Sequence, residues 1–155
     1  MLRAVAADRP YHITGSAWVV DRGRTHALLT HHRKLNKWPQ LGGHADGDPD
    51  ILRVALREAR EESNLDAILP VSEDIFDVDI HVIPARGAEP GHLHYDVRFL
   101  LEGDRAAPLT VSAESRSLAW MPLDEIGRLN PEESIARMVL KTLSHRQSIR
   151  AIPER

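Results

Sequence analysis

Glu58, Glu61 and Glu62 stand at i, i+3 and i+4 within the run Arg57-Glu58-Ala59-Arg60-Glu61-Glu62. In a helix turning ~100° per residue, that spacing gathers the three carboxylates on one face. For stability alone the choice is poor. Like charges at these spacings each cost about 0.2–0.5 kcal/mol, and acids in a last turn oppose the helix dipole. A hard divalent cation removes both penalties, because Mg²⁺ takes carboxylate oxygens while keeping waters of its own. The cluster therefore reads as a metal site.

The elements around it must hold it in place. A helix is expected to start near Asp48-Pro49, with aspartate as N-cap and proline at the first helical position. Leu52, Ala55, Leu56 and Ala59 form its apolar stripe, Arg53, Arg57 and Arg60 lie on another side, and the glutamates occupy a third. Asn64 follows the last turn, where a left-handed residue commonly closes a helix. Upstream, Gly15 to Asp21 and Thr25 to His31 predict a hairpin around the turn Asp21-Arg22-Gly23-Arg24. Then come the basic stretch His31-His32-Arg33-Lys34, Trp38-Pro39, and the pair Gly42-Gly43, which predicts a loop with close backbone approach.

Downstream, Phe76 to Val82 alternates Phe76, Val78, Ile80 and Val82 against Asp77, Asp79 and His81. His92 to Leu101 alternates in the same way, with His92, His94, Asp96 and Arg98 opposite Leu93, Tyr95, Val97, Phe99 and Leu101. Joined by the turn-rich segment 84–91, these predict a longer hairpin with one buried face. A short strand at 118–121 and a helix at 131–143 complete one mixed α/β domain over residues 1–155.

The bulk numbers narrow the function. A chain of 155 residues is one domain by size. Its 42% hydrophobic and 28% charged residues are ordinary globular values. A net charge of −3 gives no general attraction to nucleic acid or anionic membrane, while small phosphorylated ligands need only a local positive patch. With no cysteine, disulfides, thiolate metal sites and a cysteine nucleophile are excluded. The N-terminus lacks a signal-peptide-like apolar run and nothing downstream could span a bilayer, so a cytoplasmic protein is expected.

At this point the residues resemble the Nudix hydrolases. That family's signature runs glycine, five residues, glutamate, seven residues, Arg-Glu, an apolar residue, any residue, Glu-Glu, any residue, glycine, apolar. Gly43 opens the match, Arg57-Glu58-Ala59-Arg60-Glu61-Glu62 fits without a gap, and Ser63, Asn64 and Leu65 close it, giving a box at about 43–65. Trp120-Met121-Pro122-Leu123-Asp124-Glu125-Ile126 also looks like the family's late strand and turn. There are three departures. Pro49 occupies the place of the first glutamate, Asn64 replaces the final glycine, and Leu41 stands where proline often precedes the glycine pair. The first concerns the support of Arg57, for which Asp48 or Asp50 could supply the carboxylate.

The resemblance implies a Nudix-type α/β/α sandwich with a mixed β-sheet and an enzyme that hydrolyses a pyrophosphate bond in a nucleoside diphosphate linked to another group. It implies Mg²⁺ or Mn²⁺ held by Glu58, Glu61 and Glu62, one of which could double as base. Arg57 would pair along the helix or hold the preceding loop, Gly42 and Gly43 would shape the loop under the metal, and Glu114 is a candidate water-positioning base. Trp38, His44, His94 and Arg98 are candidate substrate contacts, Trp38 by stacking on a base. If the two later strands pair with faces matched, His81 falls near His94 and Asp77 near Arg98. That surface could be a plain solvent-facing sheet, a phosphate- or base-recognition surface, or a second metal site of imidazole and carboxylate. Pro49 keeps a second class of function in view, a non-catalytic domain binding a nucleotide-like ligand. The expected partner is a small nucleotide-type substrate, with no membrane and no general nucleic-acid binding, while an RNA-cap type substrate and a homodimer stay open.

Overall fold

The computed structural model describes residues 11–32, 36–110 and 117–150. Alternation sets its longest strands. β1 (Tyr11–Val20) runs antiparallel to β2 (His26–Thr30) through Val20 opposite Ala27. Asp21 holds the turn between them, its Oδ1 accepting from the backbone N–H groups of Thr25 at 2.7 Å and His26 at 2.9 Å. β1 is longer than the apolar-rich run from Gly15 predicted. Its first half needs a different partner, which is β3 (Leu41–His44), with Thr14 opposite His44, Gly15 opposite Gly43 and Ser16 opposite Gly42. Gly42-Gly43, expected in a loop, is therefore a strand.

α1 (Ile51–Ser63) follows. Its N-cap is Asp50 and not Asp48, because the Asp50 side chain accepts the Arg53 N–H at 3.0 Å. Asp48 instead accepts the Asp50 N–H at 3.0 Å and orders the approach. Asn64 closes the helix as expected, with φ 55° and its N–H donated to the Arg60 carbonyl. A two-residue strand β4 (Leu69–Pro70), which the sequence pattern missed, pairs with the end of β6.

β5 (Asp77–Ile83) and β6 (His92–Glu102) pair antiparallel, with His81 opposite His94 and Asp77 opposite Arg98. The matched-face register holds. β6 also lies parallel to β1, with His12 opposite His94 and Ser16 opposite Arg98. β7 (Leu118–Pro122) pairs with β2, and α2 (Ile126–Leu129) and α3 (Glu133–Arg150) end the described chain. α3 starts where expected and runs about two turns longer. The sheet order is β4-β6-β1-β2-β7, with β3 added to β1 and β5 to β6, so the sheet is mixed.

Helices cover both faces. Ala55 and Ala59 of α1 pack on Ala17, Val19, Leu28, Leu41, Phe99 and Leu101. Ile126 of α2 and Ile135 and Met138 of α3 pack on Trp18, Val20, Ala27, Leu29 and Leu100. Leu41, the departure from the usual proline, is fully buried in the first of these layers. The α/β/α sandwich is as the resemblance implied.

One face differs from expectation. On β5 the apolar residues are exposed, Val78 at 45%, Ile80 at 56% and Val82 at 63%, whereas Asp77 is 4% exposed. The reason is where the helices lie. α1 packs over β1 and β3, while α3 crosses the opposite side and sets Arg137 and Lys141 on Asp77.

Candidate functional site

Close approach explains both glycines, Gly43 against α1 and Gly42 against β1. A Cβ on Gly43 would lie 2.5 Å from the Glu58 carboxylate carbon and Oε2. A Cβ on Gly42, whose φ is +156°, would lie 2.5 Å from Ser16 Oγ and 2.8 Å from the Gly15 carbonyl oxygen. Glu62 Oε1 accepts the Gly42 N–H at 3.0 Å. Two glutamates of one helix face thus converge on the strand edge at Gly42-Gly43. Glu61 lies on the outer side, along a groove shared with Asp50, Arg53, Leu56 and Arg57.

Arg57 donates to Glu58 Oε1 at 3.2 Å. Neither aspartate beside Pro49 bonds to it, and Asp48 acts on it only through charge. Asp48 is engaged by Arg53 through Nε at 3.0 Å and Nη2 at 2.6 Å, and this bond to Arg53 is the main reason its carboxyl lies below the usual range. Asp50 caps the helix. The brace of Arg57 is a neighbouring signature glutamate.

The donor set fits a hard divalent cation. It is all carboxylate oxygen, and a Gly43 Cβ would displace Glu58, one of the three side chains that present it. The three glutamates do not close to single-ion spacing in this structure. Among the described residues, the group with all ligand atoms within 4.8 Å of one another is His12, His92 and His94. Mg²⁺ does not require that closure, since it is usually held by one or two carboxylates, waters and substrate phosphates.

A cavity of about 330 Å³ opens on the polar side of the sheet, walled by Gly42, Gly43, His44, His81 and His94. Its floor is Asp96, 4% exposed. Asp96 accepts hydrogen bonds from Thr14 Oγ1 at 2.8 Å, Ser16 Oγ at 2.6 Å, Gln40 Nε2 at 3.1 Å and Arg98 Nε at 2.7 Å. Those four donors fill the acceptor sites of a carboxylate, so Asp96 holds the floor together.

Arg98, expected to contact substrate, is 3% exposed. Besides Asp96 it reaches Asp77 Oδ2 at 3.4 Å and Ser134 Oγ at 3.3 Å. It is a structural cation. Asp77 is its counterpart: burial pushes its carboxyl up, but bonds from Arg137 and Lys141 outweigh this and hold it below the usual range. Trp38 is partly buried against the Trp18 core layer, with His31 at a ring distance of 4.8 Å and Asn130 donating to its carbonyl at 3.4 Å. It anchors a loop and does not line the cavity. His44 and His94 do line it. Glu114, Arg33 and Lys34 lie outside the described residues.

Sequence reasoning passed over His12, which meets His92 at a ring distance of 4.5 Å, His44 at 5.4 Å and His94 at 5.8 Å. Its signal was local. Alternation begun at Tyr11 puts His12 on the face of Thr14 and Ser16, but its neighbours His92 and His94 come from the parallel β1–β6 pairing and His44 from the β1–β3 pairing. His94 is held below its ordinary pKa, first by burial and then by His44, His81, His92 and His12 around it.

The NUDIX domain family model matches residues 10–143. No significant match was found among curated protein sequences. Solved structures with the same fold include an Ap4A hydrolase from C. elegans, 16% identical with a TM-score of 0.66, covering 88% of this chain and 98% of that one. The dihydroneopterin triphosphate pyrophosphohydrolase of E. coli is 14% identical with a TM-score of 0.69, covering 87% and 98%. A UDP-X diphosphatase is 12% identical with a TM-score of 0.63, covering 90% of this chain and 66% of its own. The chain belongs to the NUDIX family. Family and fold together support a Nudix pyrophosphohydrolase.

Proposed function

We propose that this enzyme is a Mg²⁺- or Mn²⁺-dependent hydrolase that cleaves the pyrophosphate bond of a nucleoside diphosphate linked to another group. The observation that carries the reading is the convergence of Glu58 and Glu62 on the glycine strand edge. Glu58, Glu62 and, from the outer side, Glu61 would hold the cation. Bound there, it would neutralise phosphate charge and lower the pKa of a water.

The chain's own residues do the rest. The Glu62 bond to the Gly42 N–H fixes the strand edge against the helix, and Arg57 orients Glu58. Asp96 and its four donors give a rigid floor at which a substrate can be positioned. The neighbours' names, a pyrophosphohydrolase and a diphosphatase among them, favour phosphoanhydride cleavage without selecting a substrate. We also place the protein in the cytoplasm; no helix among the described residues is long and apolar enough to cross a membrane.

The test is Glu61→Gln and Glu62→Gln assayed against nucleoside triphosphates, nucleotide sugars, dinucleotides and dinucleoside polyphosphates with Mg²⁺ and Mn²⁺. Loss of phosphate-containing product in either variant is expected. Undiminished turnover in both would sink the ligand assignment, and ligand binding without any product in the wild-type chain would favour a non-catalytic domain.

A further inference from the structure

The polar face of β1, β5 and β6 has two ends with different fates. Toward α3 it is closed by ion pairs around Asp77, Asp96 and Arg98. At the other end five imidazoles crowd together. His12, His94 and His81 lie abreast on three adjacent strands, His92 is two residues back on β6, and His44 of β3 meets both His12 and His94 at ring distances of 5.4 Å.

Within that crowd the geometry becomes specific. His92 Nδ1 lies 3.2 Å from the Pro90 carbonyl oxygen, which can only accept, so Nδ1 carries the proton and Nε2 presents its lone pair. That Nε2 lies 3.1 Å from His94 Nε2. Two imidazole ligands of one tetrahedral ion, each ~2.0–2.1 Å from the metal, stand about 3.3 Å apart. Without an ion this pair is a hydrogen bond, His94 Nε2–H donating to His92 Nε2, and its 3.1 Å separation is also close to what a shared ion requires once that proton moves to His94 Nδ1. His12 supplies a third nitrogen, all three within 4.8 Å of one another, so small side-chain rotations would complete the set. The carbonyl behind His92 is the outer support that metal-bound histidines habitually have.

We propose that His12, His92 and His94 form a transition-metal site, separate from the carboxylate site of α1 and chemically unlike it. Three neutral imidazoles suit Zn²⁺, Co²⁺ or Ni²⁺ and are poor ligands for Mg²⁺, which the carboxylates prefer. Three protein ligands leave a coordination position open to water or an oxyanion. His94 also belongs to the wall of the cavity, which places the site at that cavity's mouth. The site stands on its own geometry and does not depend on the hydrolase reading.

The full chain, free of any histidine tag and stripped with a chelator, is titrated with Zn²⁺ by calorimetry and with Co²⁺ by visible absorption. The wild-type protein is expected to bind one Zn²⁺ at this site and to give the intense Co²⁺ bands of a four-coordinate nitrogen site. His12→Asn and His92→Asn, at exposed and half-exposed positions, should each weaken Zn²⁺ by more than the ~10–100-fold that loss of an outer-shell partner costs and abolish those bands, with circular dichroism unchanged. Glu62→Gln should keep both. The proposal is overturned if the wild-type chain binds Zn²⁺ no more tightly than the doubly substituted His12→Asn/His92→Asn chain. It is equally overturned if Zn²⁺ binding is lost in Glu62→Gln and kept in His12→Asn, which would put the ion on the carboxylates. Failure of hydrolysis in every assay would leave these readings untouched.

Discussion

The glutamates of α1 and the histidines of the sheet are both concentrations of side chains able to ligate a metal, yet they are assembled in opposite ways. Glu58, Glu61 and Glu62 come from one turn of one helix, and helical periodicity alone puts them together. His12, His92 and His94 come from two strands that meet only through the parallel β1–β6 ladder. The local cluster is the looser of the two in space, since its members do not close on one point, while the nonlocal cluster does. Sequence proximity sets which side chains can cooperate; backbone pairing across the sheet sets how close they come.

The largest expected effect tests whether the buried ion-pair region is what holds the sheet's polar face in register. Arg98 and Asp96 are 4% and 5% exposed in their side chains, so Arg98→Ala leaves the buried Asp96 carboxylate without its cation, while Asp77 keeps Arg137 and Lys141, and should cost about 3–5 kcal/mol in a denaturant melt. A cost under about 1 kcal/mol would mean the register rests on backbone pairing alone. The same region gives an acid limit. Asp77 has a depressed pKa in the fold, so its contribution is complete above the unfolded value near ~3.9 and is lost as pH falls through the lower folded value. Stability should drop below about pH 4, and Asp77→Asn should flatten that part of the profile.

Next in size, Glu62→Gln should lower turnover by about 100-fold, corresponding to a loss of about 2.7 kcal/mol of transition-state stabilisation, with the melting temperature little changed. Gly43→Ala pushes the Glu58 carboxylate aside and should lower turnover in the same direction. If Gly43→Ala retained full activity, the close approach would be packing and the helix cluster would lose its link to the strand. The smallest effect separates local from nonlocal control. Asp50→Ala removes the true N-cap and should cost about 1 kcal/mol, whereas Asp48→Ala should leave the helix start in place by far-ultraviolet circular dichroism.

Much of the fold was legible because its signals are local. The α1 stripe, the Asn64 cap and the alternation of β5 and β6 follow from period and turn chemistry, whereas their register is one of several that keep faces matched and is set by the pairing itself. The helix start shifted from Asp48 to Asp50 because both aspartates are good caps and only the chain's approach through the Asp48–Arg53 pair decides between them. The glycine pair became a strand because β1 is long enough to offer β3 an edge that no nearby residue announces. Arg98 and Trp38 changed from substrate contacts to structural groups for a related reason: α3 and the core layer cover them, and that cover comes from distant chain.

What the sequence by itself determined is the grouping on the helix: three carboxylates and an arginine at spacings that follow from the pitch of a helix, with Gly43 small enough to admit Glu58. What only the tertiary structure decided is which polar residues of the strands are buried as ion pairs and which gather as open imidazoles. The alternation of β5 and β6 treats Asp77, Arg98, His81 and His94 alike. They differ because α3 reaches one end of that face and not the other, and because β1 arrives in parallel to set His12 beside His94.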